Sequence, residues 1–149
     1  MHKALALIGL AAMTTSGCVV YPSSGGGGGN TYEPAPNATP YINWADAGCY
    51  YDGYFNDDIW YFQADVDDAN GVFDVTAVYA DVYDIRTGQW VETFELFPTD
   101  DPYVWFSDWL GSTTYLDCYY GGYEVDIVAY DVYDAYDVLT LAPATYNYY

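Results

Sequence analysis

The sequence predicts an all-β domain over residues 41–149, with roughly seven or eight antiparallel strands arranged as a sandwich or a small barrel. No stretch of this region sustains the hydrophobic period of a helix. Alternating runs rich in Val, Tyr, Phe and Trp recur roughly every 8 to 12 residues. Clusters of Gly, Asn and Asp separate these runs, and such clusters favour turns.

Each strand is predicted from one alternating run. The predicted strands cover residues 43–49, 59–66, 75–83, 89–97, 103–110, 112–120, 123–132 and 136–142. Alternation in the second run places four side chains on one face, where we expect them to be buried: Trp60, Phe62, Ala64 and Val66. In the third run it separates an inner set from an outer set: Val78, Ala80 and Val82 against Tyr79, Asp81 and Tyr83.

Two tight turns are also marked in the sequence. "RTGQ" holds Gly88, which takes a positive φ without steric cost and so suits the turn after the third strand. "YDVYDAYDV", residues 130–138, is predicted to be strand, turn and strand, with Asp134 and Ala135 near the bend. We interpret its alternating Tyr and Asp as scaffold, since the carboxylates repel a second chain at a sheet edge.

The N-terminus has the pattern of a targeting segment. His2 and Lys3 precede an apolar run that is too short to span a bilayer, and small residues then lead to Cys18. "TSGC", residues 15–18, resembles the lipobox of bacterial lipoproteins. That resemblance implies a signal peptide over 1–17, removed by cleavage, and a lipidated Cys18. The alternative is an ordinary secretory signal with a chance cysteine.

Residues 18–40 are predicted to be the lipidated cysteine and a flexible linker. The run Gly25–Gly29 has too much backbone freedom to lose, and four prolines in this stretch oppose regular strand pairing. Such a linker holds the domain away from a lipid surface. Because Val19 follows Cys18 and no Asp stands there, the resemblance implies the outer membrane as the destination, with either the periplasm or the exterior open.

Two cysteines remain after Cys18. In an oxidising compartment we expect Cys49 and Cys118, which lie 69 positions apart, to form a disulfide. Free thiols are the alternative. Little near either cysteine in sequence is positive enough to make a reactive thiolate.

The charge excludes several classes of function. Lys and Arg total 2 against 22 for Asp and Glu, and Arg86 is the one basic residue beyond the targeting segment. Such a field repels phosphate backbones, so nucleic acid is excluded as a partner.

Without His or Lys after Cys18, histidine-based triads and histidine zinc sites are excluded too, and no catalytic residue is assigned. Two carboxylates alone suffice for glycoside hydrolysis, which keeps a carboxylate-based glycan hydrolase as the alternative function.

Calcium is the favoured metal hypothesis, although no cofactor is required. Calcium takes six to eight oxygen ligands, and the "DVDDANGVFD" segment around Gly71 is rich in them. The candidate ligands are Asp65, Asp67, Asp68, Asn70 and Asp74, with Asp131, Asp134 and Asp137 as further ligands if the turns meet at one end. An EF-hand is rejected because Thr76 stands at the twelfth position. The alternative is a polar turn in which Asp and Asn bond their own backbone.

Aromatic side chains are the remaining binding candidates, since rings stack on sugars and dominate protein interfaces. The tryptophans are Trp44, Trp60, Trp90, Trp105 and Trp109. A core role is the favoured interpretation, above all for Trp60 and Trp105. The segment "YVWFSDWLG", residues 103–111, is the one expected to carry an exposed apolar patch.

Two longer segments resemble bacterial immunoglobulin-like domains. "ADVDDANGVFDVTAVYADVYD" (64–84) resembles the part of that family where one strand ends in a hairpin of the D-x-x-G type, and "VDIVAYDVYDAYDVLTLAP" (125–143) resembles its last hairpin. The resemblance implies an immunoglobulin-like β-sandwich. Cys49 and Cys118 depart from the antibody pattern, which leads us to expect a bridge from the first strand to the lead-in of a later one.

The expected function follows from these parts. We expect an envelope lipoprotein that acts as a non-enzymatic structural, adhesive or binding module. Its partners would be the membrane, through the N-terminal lipid, and an envelope protein or glycan.

Overall fold

The computed structural model describes residues 36–142 and the backbone of 145 and 146. Its strands are β1 (Tyr41–Asp52), β2 (Asp57–Asp67), β3 (Val75–Asp84), β4 (Gln89–Pro98), β5 (Val104–Leu110), β6 (Tyr123–Asp131), β7 (Tyr136–Leu141) and β8 (Thr145–Tyr146). Within the described residues the only helical pieces are two 3₁₀ turns, Val72–Asp74 and Gly111–Thr113. The all-β prediction is therefore confirmed. The described part of the chain holds no helix that is long and apolar enough to cross a membrane.

The strands form one sheet in the order β7-β6-β3-β4-β5-β2-β1-β8. The first seven strands pair antiparallel, and β8 pairs parallel to β1. Strand β4 pairs with β3 over most of its length, whereas only Phe97 and Pro98 pair with β5. This junction has fewer residue pairs than any other antiparallel pairing in the sheet. Near its opposite edges, the Ile42 N–H of β1 donates a hydrogen bond of 3.0 Å to Asp137 of β7, so the sheet is nearly closed.

The inner face of the sheet forms the core, as the alternation predicted. Trp60, Phe62, Ala64 and Val66 are at most 1% exposed, and Val78, Ala80 and Val82 are fully buried. The Phe62 ring stacks on Phe94 at 4.7 Å, which joins β2 to β4 across the interior. Burial of such side chains is the main favourable contribution to folding.

Both predicted turns are confirmed. Gly88 has φ of 66° between β3 and β4. In the β6–β7 turn Asp134 has φ of 62°, and the Asp131 N–H donates to the Ala135 carbonyl. The segment 130–138 is thus strand, turn and strand.

The predicted strand over 112–120 is wrong. This segment belongs to the connection between β5 and β6, which begins with a 3₁₀ turn. Its backbone amides bond side chains instead of a neighbouring strand: Tyr115 donates to Glu92, Leu116 to the Thr114 hydroxyl, and Asp117 to the Tyr123 hydroxyl. Leu116 and Cys118 are buried, so the connection packs onto the end of the core.

Two further boundaries differ from the prediction. The D-x-x-G segment is a turn rather than a hairpin, because β2 pairs with β1 and β5 while β3 pairs with β4 and β6. The end of the predicted linker, residues 36–40, belongs to the folded body. Asn37 and Ala38 hydrogen-bond Asp131 and Asn70, and Pro40 is buried.

Candidate functional site

The solvent-facing side of β1, β2 and β5 carries aromatic rings beside polar side chains. Cross-strand pairing places Trp44 opposite Asp65, and Gln63 opposite both Asp46 and Phe106. Paired residues share a face, so rings and hydrogen-bonding groups are mixed across three adjacent strands. We call this surface the Trp44 face; it comprises Trp44, Asp46, Tyr61, Gln63, Asp65, Val104, Phe106 and Asp108.

A β-bulge turns Trp44 outward. Ile42 pairs with Val66 and Trp44 pairs with Asp65, which leaves Asn43 as an extra residue. Strict alternation from the buried Ile42 would place Trp44 inside, whereas the extra residue shifts the phase and leaves Trp44 47% exposed. The Asn43 amide donates a hydrogen bond of 2.8 Å to Asp65 Oδ1, which links the bulge to β2.

The bulge opens a cleft of about 450 Å³. It is lined by Asn43, Trp44, Gln63, Asp65 and Val104. This volume lies within the range of small-ligand sites, which combine apolar surface with a few polar groups. Among the described residues none hydrogen-bonds the Gln63 amide, and Asp65 uses one carboxylate oxygen for Asn43. The cleft therefore offers a ring together with amide and carboxylate groups that are open to a ligand.

Within the described residues, no three of the four predicted carboxylate ligands, Asp65, Asp67, Asp68 and Asp74, bring oxygens within 4.8 Å of one another. The group of three that does meet this distance is Cys49, Asp58 and Cys118, but its two sulfurs are joined in a disulfide and so offer no thiolate to a metal. Asp65 lies in the cleft, Asp67 ends β2, Asp68 and Asn70 lie in the turn after β2, and Asp74 ends the following 3₁₀ turn.

Asp68 is the most constrained of the predicted ligands. It is 4% exposed, and its Oδ1 accepts the Asn70 N–H at 2.7 Å, the backbone bonding that the polar-turn alternative predicts. Its Oδ2 is buried and has no hydrogen-bond partner among the described residues. Calcium at this turn stays a prediction.

The segment 37–42 ties the two acidic turns to one end of the sheet. Asn37 Nδ2 donates 2.6 Å to Asp131 Oδ2, the Ala38 N–H donates 2.7 Å to Asn70 Oδ1, and Ile42 bonds Asp137. The bond from Asn37 holds the pKa of Asp131 below its usual range, helped by backbone N–H groups. Asp131 and Asp137 therefore serve as acceptors for this segment, while Asp134 is exposed in its turn.

The disulfide joins Cys49 to Cys118 with a Cα–Cα distance of 5.7 Å. It connects β1 to the lead-in of β6, as the sequence predicted. Asp58 lies within 4.8 Å of the two sulfurs, and burial raises its pKa, with further contributions from Asp57 and Asp117. The pKa of Asp57 is lowered, chiefly by a hydrogen bond from the Ser112 hydroxyl. No local pattern marks Asp57 and Asp58 as a pair, because the residues outside β2 that act on them, Ser112 and Asp117, lie in the connection between β5 and β6.

The tryptophans divide between core and surface. Trp60 and Trp105 are 1% and 7% exposed, as predicted, whereas Trp44, Trp90 and Trp109 are exposed. A core role is therefore wrong for three of the five. In the 103–111 segment Tyr103, Phe106 and Trp109 are exposed. Phe106 and Trp109 are three positions apart on β5 and so lie on opposite faces of the strand, and a single apolar patch there stays a prediction.

The predicted signal peptide and Cys18 lie outside the described residues, as does most of the predicted linker.

No protein-family model, curated protein or solved structure matches this chain.

Proposed function

We propose that this protein is a lipid-anchored envelope protein whose β domain is a non-enzymatic binding module. The observation that carries the proposal is the Trp44 face. A bulge turns a large ring to solvent while the core beneath it is complete, with Phe62 and Ala64 fully buried. An aromatic ring that stays in water adds little to the stability of the fold, because its apolar surface is not buried. Aromatic side chains of this kind are common anchors in binding sites.

We further propose that the sheet is an immunoglobulin-like sandwich. In support, the pairings divide the strands into β1-β2-β5 and β4-β3-β6-β7, with β4 and β5 meeting at two residue pairs. Immunoglobulin domains similarly pack their first, second and fifth strands against their third, sixth and seventh. Here the fourth strand begins beside β3 and ends beside β5.

The proposed anchor is lipid on Cys18, which supplies the multiple acyl chains that a stable membrane hold requires. The supporting observation is the "TSGC" pattern after a short apolar run. The proposed location is the outer membrane, with an envelope glycan or protein as the partner. The balance of 22 acidic against 2 basic residues argues against nucleic acid.

Replacement of the lipidated cysteine tests the anchor. We expect Cys18→Ala to move full-length protein from the membrane fraction to the soluble or unprocessed fraction, because the acyl chains are lost. Cell fractionation and intact-mass measurement report the result, and Ser16→Ala, which keeps a small residue in the pattern, is the matched control. Normal membrane retention of Cys18→Ala would refute the anchor.

Calcium stabilisation at the turn after β2 is the second part of the proposal. Calcium would give Asp68 Oδ2 the partner that it lacks, with Asn70, backbone carbonyls and water as further oxygen ligands. With a Kd near 1 mM, about 5 mM calcium stabilises by about 1 kcal/mol, or several degrees in Tm. We expect that rise for the native protein and its loss in Asp68→Asn, with Asp100→Asn as the control. A rise in Tm of less than one degree in the native protein would refute calcium binding and favour the polar-turn alternative.

The alternative function, a carboxylate-based glycan hydrolase, has one observation in its favour. Asp57 and Asp58 have pKa values moved in opposite directions, as an acid and base pair requires. Asp58 Oδ1 is buried, however, and lies near the disulfide rather than in a cleft. We therefore place the binding module first.

A further inference from the structure

We infer that the Trp44 face binds an uncharged polysaccharide chain, with the Trp44 ring stacked on a sugar and the neighbouring polar groups bonded to hydroxyls. This inference rests on the proposed function and names the ligand of the same domain. Three features of the face select this ligand: the spacing of its rings, the chemistry between them, and its charge.

Two rings lie on opposite sides of β2. Trp44 is on β1 and Phe106 is on β5, and both are exposed, at 47% and 36%. Neighbouring strands lie about 4.8 Å apart, so β1 and β5 are about 10 Å apart across β2. Trp44 pairs with Asp65 and Phe106 pairs with Gln63, two residues away on β2, so an offset of about 7 Å along the strand places the two residues about 12 Å apart on a diagonal. That separation suits two sugars of an extended chain that crosses the strands obliquely, because the apolar face of a sugar ring packs against an aromatic ring.

The groups between the rings are hydrogen-bonding groups suited to hydroxyls. Gln63 lies on the middle strand, opposite Phe106, and its amide both donates and accepts. Asp65 keeps one carboxylate oxygen open, and Asn43 fixes the other through a 2.8 Å bond. A sugar hydroxyl donates and accepts at once, so vicinal hydroxyls match an amide beside a carboxylate.

The charge of the face selects against acidic ligands. Asp46, Asp65 and Asp108 lie on it, and Arg86, the one basic residue in the described part of the chain, is in the β3–β4 turn. Polymers that carry uronic acids or phosphates would be repelled. A protein partner is also disfavoured, because specific interfaces bury about 800 Å² per side around an apolar centre, whereas carboxylates interrupt the rings here.

Titration of full-length protein in detergent with defined oligosaccharides tests the inference. The probes are the hexasaccharides of cellulose, mannan, xylan and chitin, with hexagalacturonate as the acidic control, followed by calorimetry. We expect saturable binding of at least one uncharged hexasaccharide and none of hexagalacturonate. Trp44→Ala should weaken that binding tenfold or more, and Gln63→Ala should weaken it several-fold. The matched control is Trp90→Ala, which removes another exposed tryptophan from β4 and should keep the Kd within twofold.

The remaining outcomes separate this inference from the proposed function. If no hexasaccharide binds at 10 mM, or if Trp44→Ala binds as tightly as the native protein, the inference is overturned. Crosslinking of the native protein to an envelope protein through the same face would overturn it too, while the binding module would stand. Release of new reducing ends from a bound hexasaccharide would overturn the non-enzymatic function itself.

Discussion

Removal of the Cys49–Cys118 disulfide is expected to cause the largest loss of stability, about 4 kcal/mol in the chain-entropy model for a sequence separation of 69 residues. For a domain of this size such a loss lowers Tm on the order of 20 °C. The physical reason lies in the unfolded chain. The bridge ties β1 to a segment more than half the domain away in sequence, and so lowers the conformational entropy of the unfolded state. The native state adds a local reason. The connection between β5 and β6 has side-chain hydrogen bonds and the buried Leu116 as its other attachments.

The variant for this prediction is the double substitution Cys49→Ala/Cys118→Ala, because single substitutions leave a thiol that pairs between molecules. Its Tm is compared with that of native protein treated with a phosphine reductant, and both should fall by a similar amount. Thr113→Ala, an exposed substitution in the same connection, controls for local changes. A double variant that melts within 5 °C of the oxidised native protein would contradict the prediction, as would two alkylated thiols in untreated protein.

The core could be predicted from the sequence because alternation is a local signal. In β2 from Trp60, and in β3 from Ala77 onward, the period of two is uninterrupted, so Phe62 and Val78 are buried where the pattern places them. Gly88 and Asp134 marked their turns for an equally local reason, since few residue types take a positive φ at low cost.

The predictions for residues 112–120 and for Trp44 were wrong because contacts between distant parts of the chain decide both. The 112–120 segment alternates like a strand, but its amides bond Glu92 and Tyr123 and its cysteine bonds β1, contacts that no local pattern encodes. The exposure of Trp44 was missed for a related reason. Trp44 is exposed because one extra residue at Asn43 shifts the phase of β1, and a bulge becomes visible only when the partner strand is known.

Asp131 is expected to be the second large contributor to stability, and its contribution should depend on pH. The residue is 1% exposed, and its Oδ1 accepts the N–H groups of Tyr133 and Ala135 while Oδ2 accepts Asn37 Nδ2. Asp131→Ala would leave three donors without this acceptor and would release Asn37, which precedes β1, from the β6–β7 turn. We expect Tm to fall on the order of 10 °C at pH 7.

The sign of the pH effect follows from the lowered pKa of Asp131 in the folded state. A carboxyl group that holds its proton less tightly when folded stabilises the fold above its unfolded pKa, about 3.9. That stabilisation is lost as the pH falls through the lower, folded pKa. Asp131→Asn keeps a carbonyl oxygen for Tyr133 and Ala135 but turns an amide donor toward the Asn37 donor. The difference in Tm between the native protein and this variant should therefore be largest near pH 7 and shrink toward pH 2.

The swapped variant Asn37→Asp/Asp131→Asn isolates the bond itself. It restores a carboxylate acceptor and an amide donor at the same pair of positions, so it should recover part of the Tm that Asp131→Asn loses. Asp134→Asn, in the same turn but exposed, should leave Tm nearly unchanged. If Asp131→Asn and Asp134→Asn melt alike across the pH range, the carboxylate of Asp131 does not hold the 37–42 segment. The Asn37 contact would then be dispensable, and the bonds from Ala38 to Asn70 and from Ile42 to Asp137 would hold the segment.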